Sequence, residues 1–428
     1  MIRYIYNQLL AWKNKKEHKP LILNGARQVG KTYILQEFGR NEYKRMAFFS
    51  LDRDQKALEI FNKGGNATDM LMALSAISHE DITPHDTLVV LDEIQNCPKA
   101  LEALKFFCEE TPEIDIVVAG SLLGLSLHSG VSYPVGKVEE LHLYPMTFLE
   151  FLEAMGKTQL VNLLKNKNWA VINMLETELI SSLRQYYYVG GMPAAVLAHI
   201  EKKGWQEVRR IQQQIITDYR RDFSKHAPTR EIPRINMVWD SIPAQLAKEN
   251  KKFVYGAVKK SARAADFEMA IQWLIDAGLA YKVPRVNAPR LPLKFYEDIS
   301  VFKLFMLDVG LMGAMAETTA DSVVVGDNIF SEYKGAFTEL YVFTQLKALG
   351  YSLYYHAVDN STIEIDFLTQ RDNQVIPIEV KAEVNVKAKS LRTFINNNPE
   401  LKGIRFSMLP YKEQDWMTNI PLYACMAW

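Results

Sequence analysis

Residues 25–32, GARQVGKT, fit the phosphate-binding loop pattern G-x-x-x-x-G-K-[ST] at every fixed position. The flanks suit it. LILN (21–24) is a short apolar run of the kind that forms a buried strand, and YILQEF (33–38) sets Ile34, Leu35 and Phe38 at helical spacing. A strand that turns through glycines into a helix aims successive backbone N–H groups, and the positive end of the helix dipole, at an anion. In that arrangement Gly25 and Gly30 let the chain bend close to phosphate oxygens, and Ala26, Arg27, Gln28 and Val29 complete the cradle. Lys31 can reach the β- and γ-phosphates, and the Thr32 hydroxyl can ligate Mg²⁺. The competing reading, a glycine-rich turn with no ligand, leaves the strand and helix on either side unexplained. The expected ligands are ATP and Mg²⁺.

A phosphate-binding loop predicts an acidic element at the end of a second buried strand. TLVVLDEI (87–94) supplies a strand-forming run that ends in Asp92 and Glu93. Asp92 would hold the metal and Glu93 would polarise the attacking water; alone, the pair would read as a surface turn. MAFFSLD (46–52) and IDIVVAGS (114–121) add two more strands. The second ends in Ser121, which can either sense the γ-phosphate or cap the next helix. VEELHLYPM (138–146) reads as a fifth strand. Strands alternating with helices mean an α/β fold with a parallel sheet covered on both faces.

GARQVGKT, LVVLDEIQ, IVVAGSLLGL and LHLYPMTFLEFL together resemble the bacterial and archaeal AAA-type ATPases that are paired with a C-terminal domain of unknown function. YYYVGGMPAAV (186–196) is similar to the Gly-Gly-x-Pro segment that follows the core in that family. The resemblance covers essentially the whole chain. It implies an AAA-type P-loop ATPase core over 1–156, which such proteins often close with Gly-Arg before the fifth strand. Here Gly136-Lys137 stands in that place, and a lysine does not replace an arginine in bidentate contacts. Arg184, Arg220 and Arg221 are the remaining finger candidates. AAA-type cores often form rings, so oligomerisation is open.

A chain of 428 residues, 48% apolar and 23% charged, exceeds one ordinary domain and can bury several cores. Its fifty basic and fifty acidic residues cancel, so global charge neither demands nor excludes nucleic acid. Three cysteines without a C-x-x-C pair, no cleavable leader in MIRYIYNQLLAWKNKKEHK and no apolar stretch of spanning length predict a cytoplasmic protein without a membrane segment. Residues 157–200 read as a small helical segment and 201–330 as a winged-helix-like domain. In the latter a short helix, a turn, a longer helix over 266–277 and the strand AYKVPRV follow in order. Six basic residues (Lys248, Lys251, Lys252, Lys259, Lys260, Arg263) against Glu249 in 248–263, and eight basic against three acidic in 202–230, make DNA a candidate partner. Asp266, Glu268 and Asp276 on the longer helix argue instead for a packing or protein-contact module.

The last hundred residues carry a second constellation. KGAFTELYVFTQLKALG (334–350) reads as a helix with Glu339 near its start. SLYYHAV (352–358), TIEIDFLTQ (362–370) and VIPIEVKAE (375–383) read as strands, the last two joined by a turn at 371–373. Asp366, then Glu379 and Lys381 two residues apart on one face, resemble the PD-(D/E)xK nuclease fold, so 331–428 is expected to be a restriction-endonuclease-like α/β domain. The resemblance implies that Asp366 and Glu379 share Mg²⁺, with Glu339 as an extra ligand and Lys381 orienting the water. A hairpin with solvent-facing charges is the alternative. Ile365, Phe367, Ile378 and Val380, flanking the charges, favour packing on the opposite face. His356 reads as structural. Two functions follow: an ATPase coupled to a nuclease-like, DNA-binding domain, or a nucleotide-switched scaffold for protein partners whose nuclease-like domain has no chemistry.

Overall fold

Two apolar runs, β3 (Thr87–Asp92) and β4 (Asp115–Gly120), are buried at every residue, as the middle strands of a parallel sheet covered on both faces must be. The structure, a computed structural model, describes residues 1–121, 132–248, 251–326, 328–358, 363–382 and 389–428. Residues 122–125, Glu249, Thr362 and Glu383 of the segments named above lie outside these. The chain divides into two compact units. One gathers residues 2–144 and 276–279, the other Met1, 145–275 and 280–428.

In the first unit, β1 (Leu21–Asn24), β2 (Arg45–Ser50), β3, β4 and β5 (Glu139–His142) form a sheet in the order β2-β3-β4-β1-β5. Every pairing in it is parallel. The fifth strand is shorter than the expected 138–146: its last tie to β1 is the Leu143 N–H donated to the Asn24 carbonyl at 2.8 Å, where β1 itself ends. Helices α1 (Ile5–Lys13), α2 (Lys31–Glu42), α3 (Gln55–Lys63), α4 (Ala67–Ser78) and α5 (Pro98–Glu110) belong to this unit. Ile34, Leu35 and Phe38 of α2 are all buried, as their spacing predicts. On another side, Phe61, Leu74, Leu101, Leu104 and Phe107 pack against Phe49, Leu91 and Val118. Each such side chain contributes roughly 1.5–3 kcal/mol. Because β1 lies between β4 and β5, the strand order reverses beside the loop that follows it. Ligands of open α/β sheets bind at such a point.

The second unit begins with helices α6 (Phe148–Ala154), α7 (Thr158–Lys165), α8 (Trp169–Met174), α9 (Glu176–Val189), α10 (Pro193–Ile200), α11 (Trp205–His226) and α12 (Ile232–Leu246). The short helix α13 (Tyr255–Val258) and the longer α14 (Ala264–Asp276) precede a hairpin of β6 (Ala280–Val286) and β7 (Glu297–Met306). Phe267, Ala270, Ile271 and Leu274 of α14 face inward. After α15 (Val309–Met315) comes α16 (Asn328–Ala348), then β8 (Tyr354–Ala357), β9 (Glu364–Arg371), β10 (Gln374–Val380), α17 (Lys389–Asn397), β11 (Gly403–Ser407), β12 (Lys412–Glu413) and β13 (Met417–Pro421). The sheet runs β12-β13-β11-β10-β9-β8-β6-β7. The β6–β7 hairpin is thus continuous with the C-terminal strands, β6 lying parallel to β8. Helix α16 starts earlier than expected, so Glu339 sits in its middle, not near its start.

A buried carboxylate ties distant stretches of this unit together. Asp308 caps α15 by accepting from the Leu311 N–H (2.9 Å) and also accepts from the Gly191 N–H (2.6 Å). A Cβ at Gly190, whose φ is +71°, would lie 2.3 Å from an Asp308 carboxylate oxygen, so only glycine fits there. Burial pushes the Asp308 carboxyl up to about 6, against the pull of its backbone donors.

Candidate nucleotide site

The loop between β1 and α2 has the shape its sequence requires. Gly25 has φ +151°, and a Cβ there would stand 2.3 Å from the Leu143 carbonyl oxygen. Gly30 precedes α2 in the left-handed conformation. Lys31 opens α2 and is only 7% exposed. Its ammonium donates to the carbonyls of Gly25 (2.9 Å) and Ala26 (2.8 Å), two neutral acceptors of its own loop. Burial pushes it down to about 8, although the nearby Glu93 and Asp92 carboxylates pull the other way.

The acidic pair lies beside the loop because β3 is one strand removed from β1 across β4. The Thr32 hydroxyl donates to Asp92 Oδ2 at 2.7 Å. Burial raises the Asp92 carboxyl, and the Thr32 bond opposes the rise. Glu93 has φ +54°, a conformation that a non-glycine side chain seldom adopts. Its carboxylate accepts from the Gln95 amide and, at 3.5 Å, from the Ser121 hydroxyl just past β4. A hydroxyl beside a carboxylate at the carboxyl edge of a sheet is a hard-oxygen donor set, and it fits Mg²⁺.

The C-terminal constellation is arranged differently. Asp366 on β9 and Glu379 on β10 are close, and Asp366 Oδ2 accepts from the Val380 N–H at 2.7 Å. Lys381, just past β10, pairs with Glu379 at 3.2 Å. Glu339 is paired with two lysines, Lys303 of β7 at 3.0 Å and Lys251. Lys303, which is 0% exposed, also holds Glu364 at 2.7 Å. Among the described residues no group of three or more His, Cys, Asp or Glu side chains is placed to hold a metal ion. Ile365, Phe367 and Ile378 are buried as expected, while Asp366 and Glu379 are themselves largely buried, so this is not a solvent-facing hairpin. His356 bonds the Val286 carbonyl at 2.8 Å across to β6, a structural role.

Family models match three consecutive parts of the chain: an AAA domain over 17–152, a domain of unknown function (DUF8612) over 180–322, and a second domain of unknown function (DUF4143) over 334–424. The first match spans about a third of the chain and takes in both the loop and the acidic pair, Thr32 and Asp92 included. The pairing of this AAA domain with a C-terminal domain of unknown function agrees with the resemblance drawn from the sequence. Comparison with curated proteins finds no match. Among solved structures, the chain is similar to a RuvB variant from Thermotoga maritima (13% identity, TM-score 0.29, covering 70% of this chain and 90% of that one). It is also similar to Cdc6p from Pyrobaculum aerophilum (11%, 0.28, 74% and 94%) and to Drosophila ORC bound to DNA (14%, 0.26, 73% and 93%). At such TM-scores these likenesses carry no conclusion. No described helix is long and apolar enough to cross a membrane.

Several residues that matter at these sites escape the sequence reading. Gln95, next-but-one to Glu93 in the AAA domain, holds the glutamate, and its position in LDEIQ was the available signal. Lys303 interrupts the apolar run VFKLFM, and a lone cation in such a strand signals a buried counter-charge. Lys251, counted toward a basic patch, is turned to Glu339 instead. Others in the basic stretches are also engaged: Arg210 with Glu207, Arg220 with Asp240, Arg221 with Asp218. Lys137 of the AAA domain pairs with Glu109 at 2.9 Å.

Proposed function

We propose that the chain is a magnesium-dependent ATP hydrolase. One observation carries this reading: Thr32 and Asp92 share a hydrogen bond at the mouth of the loop, with Glu93 immediately beside them. Lys31 would exchange two weak carbonyl acceptors for the β- and γ-phosphate oxygens of ATP. The Gly25–Thr32 N–H groups would hold the remaining oxygens. Mg²⁺, held by Thr32 and Asp92, would supply neutralisation of phosphate charge. Glu93 would take a proton from a water as its oxygen bonds to the γ-phosphorus and the bond to the β–γ bridging oxygen breaks. Ser121, beside Glu93, would report the γ-phosphate. A purified protein that releases phosphate from ATP with magnesium, and in which Asp92→Asn stops release, would agree. Turnover unchanged by Asp92→Asn would remove the reading.

For the remainder we propose a helical segment over 157–200, a winged-helix-like part over 201–330 and a nuclease-like part over 331–428. The order of α16, three antiparallel strands, α17 and a parallel strand supports the last. Of the two functions open to it, one observation favours the scaffold: the carboxylate expected to be a metal ligand, Glu339, is bound by two lysines. The exposed Asp266 and Glu268 on α14 also argue against that helix entering a DNA groove. Incubation with labelled single- and double-stranded DNA, with magnesium or manganese and with or without ATP, separates the two. Cleavage would restore the nuclease; its absence alongside ATP turnover supports the scaffold.

A further inference from the structure

Metal-dependent phosphodiester chemistry needs several carboxylate oxygens free to converge on one cation. Here they are committed elsewhere. Both oxygens of Glu339 face ammonium groups, Oε1 that of Lys303 and Oε2 that of Lys251. Glu364 Oε1 meets the same Lys303. Asp366 gives one oxygen to a backbone N–H, and Glu379 Oε1 meets Lys381. Five of the eight carboxylate oxygens are thus engaged, both of Glu339 among them, so the ligand expected from the helix is not free to join Asp366 and Glu379 on one cation. Three ammonium groups (251, 303, 381) thus face four carboxylates (339, 364, 366, 379), a net of −1. The source of the central cation is notable: Lys303 comes from β7, at the opposite side of β8 and β6 from β9, and its side chain has no contact with solvent. A fully buried ammonium persists only where carboxylates repay its lost hydration.

We propose that Lys303 stands where a divalent cation would, so that the C-terminal carboxylates form a closed internal ion network that takes no metal. The inference rests on, and deepens, the scaffold reading. It also assigns the β6–β7 hairpin a job: it delivers the counter-charge that the C-terminal strands and α16 lack.

The test uses the full chain carrying Asp92→Asn, which silences the other metal site, titrated with Mn²⁺ and followed by the electron paramagnetic resonance of the free ion. The expected result is no bound Mn²⁺ at sub-millimolar concentrations. One bound equivalent that Asp366→Asn removes would overturn the proposal, whether or not DNA is cut. Cleavage of DNA by a protein that binds no Mn²⁺ would instead sink the scaffold reading and leave metal exclusion standing. A second arm measures stability without divalent ions. Lys303→Met, which keeps the stem, should lower Tm on the order of 10 °C. Adding Glu339→Gln and Glu364→Gln should return at least half of the loss. A Lys303→Met protein as stable as the parent would also overturn the proposal.

Discussion

The nucleotide loop and the C-terminal ion network each place a buried lysine near carboxylates, yet the two lysines are held in opposite ways. Lys31 rests on two backbone carbonyls, and burial pushes it down to about 8. Lys303 rests on Glu339 and Glu364, which hold it well above the ordinary lysine range despite complete burial. Neutral acceptors leave most of a cation's electrostatic demand unmet, so Lys31 is primed for an anion. Full carboxylate pairing leaves nothing to offer a ligand. A buried lysine close to acids is therefore not one feature but two, told apart by what its ammonium touches.

Neutralising a carboxylate in each assembly should break opposite properties. Glu93→Gln should lower kcat by about 10²–10⁴ with little change in ATP affinity or Tm. Glu339→Gln, by contrast, should cost roughly 3–5 kcal/mol of stability in denaturant unfolding while leaving turnover per folded molecule intact. Normal kcat for the first, or an unaltered midpoint for the second, would erase the distinction.

Lys31→Met probes the same difference at the cation. ATP affinity should fall on the order of 100-fold. The fold should gain up to about 3 kcal/mol at neutral pH, since a lysine pushed from 10.5 to about 8 is held charged at a cost. The sign follows from proton counting: between pH 8 and 10.5 the unfolded chain binds more protons at this site, so the parent's stability rises across that window. Loss of stability on Lys31→Met would contradict it.

The smallest effect is in pH. ATP binding should weaken about fivefold between pH 8 and 9, as the free protein's Lys31 loses its proton. Binding near pH 8.5 should take up a proton, seen calorimetrically as a heat that varies with the buffer's ionisation enthalpy. A flat affinity over this range would mean that Lys31 does not titrate there.

The AAA domain was readable because its chemistry is written in local spacing. GARQVGKT sets two glycines, the lysine and the threonine within eight residues, and Asp92-Glu93 end a strand whose apolar run is unmistakable. Parallel-sheet order then does the rest, bringing Thr32 to Asp92. The second constellation was readable only in part. Asp366 and Glu379 lie on adjoining strands and Lys381 just past the second, so their proximity follows from the hairpin. The partners that change its meaning, Lys251 and Lys303, come from segments with no periodic or motif relation to it. The same holds for Asp308 against Gly190-Gly191: the glycines were legible as a break, while the carboxylate they accommodate is a tertiary fact.

The origin of Lys303 on β7 bears on how the chain can be taken apart. A fragment cut at the expected boundary, 331–428, would keep Glu339, Glu364, Asp366 and Glu379 but lose two of their three cations. It would be a more acidic object than the domain in its native setting, and divalent ions would fill the gap. Metal uptake or hydrolysis measured on such a piece would report on the dissection, not on the protein.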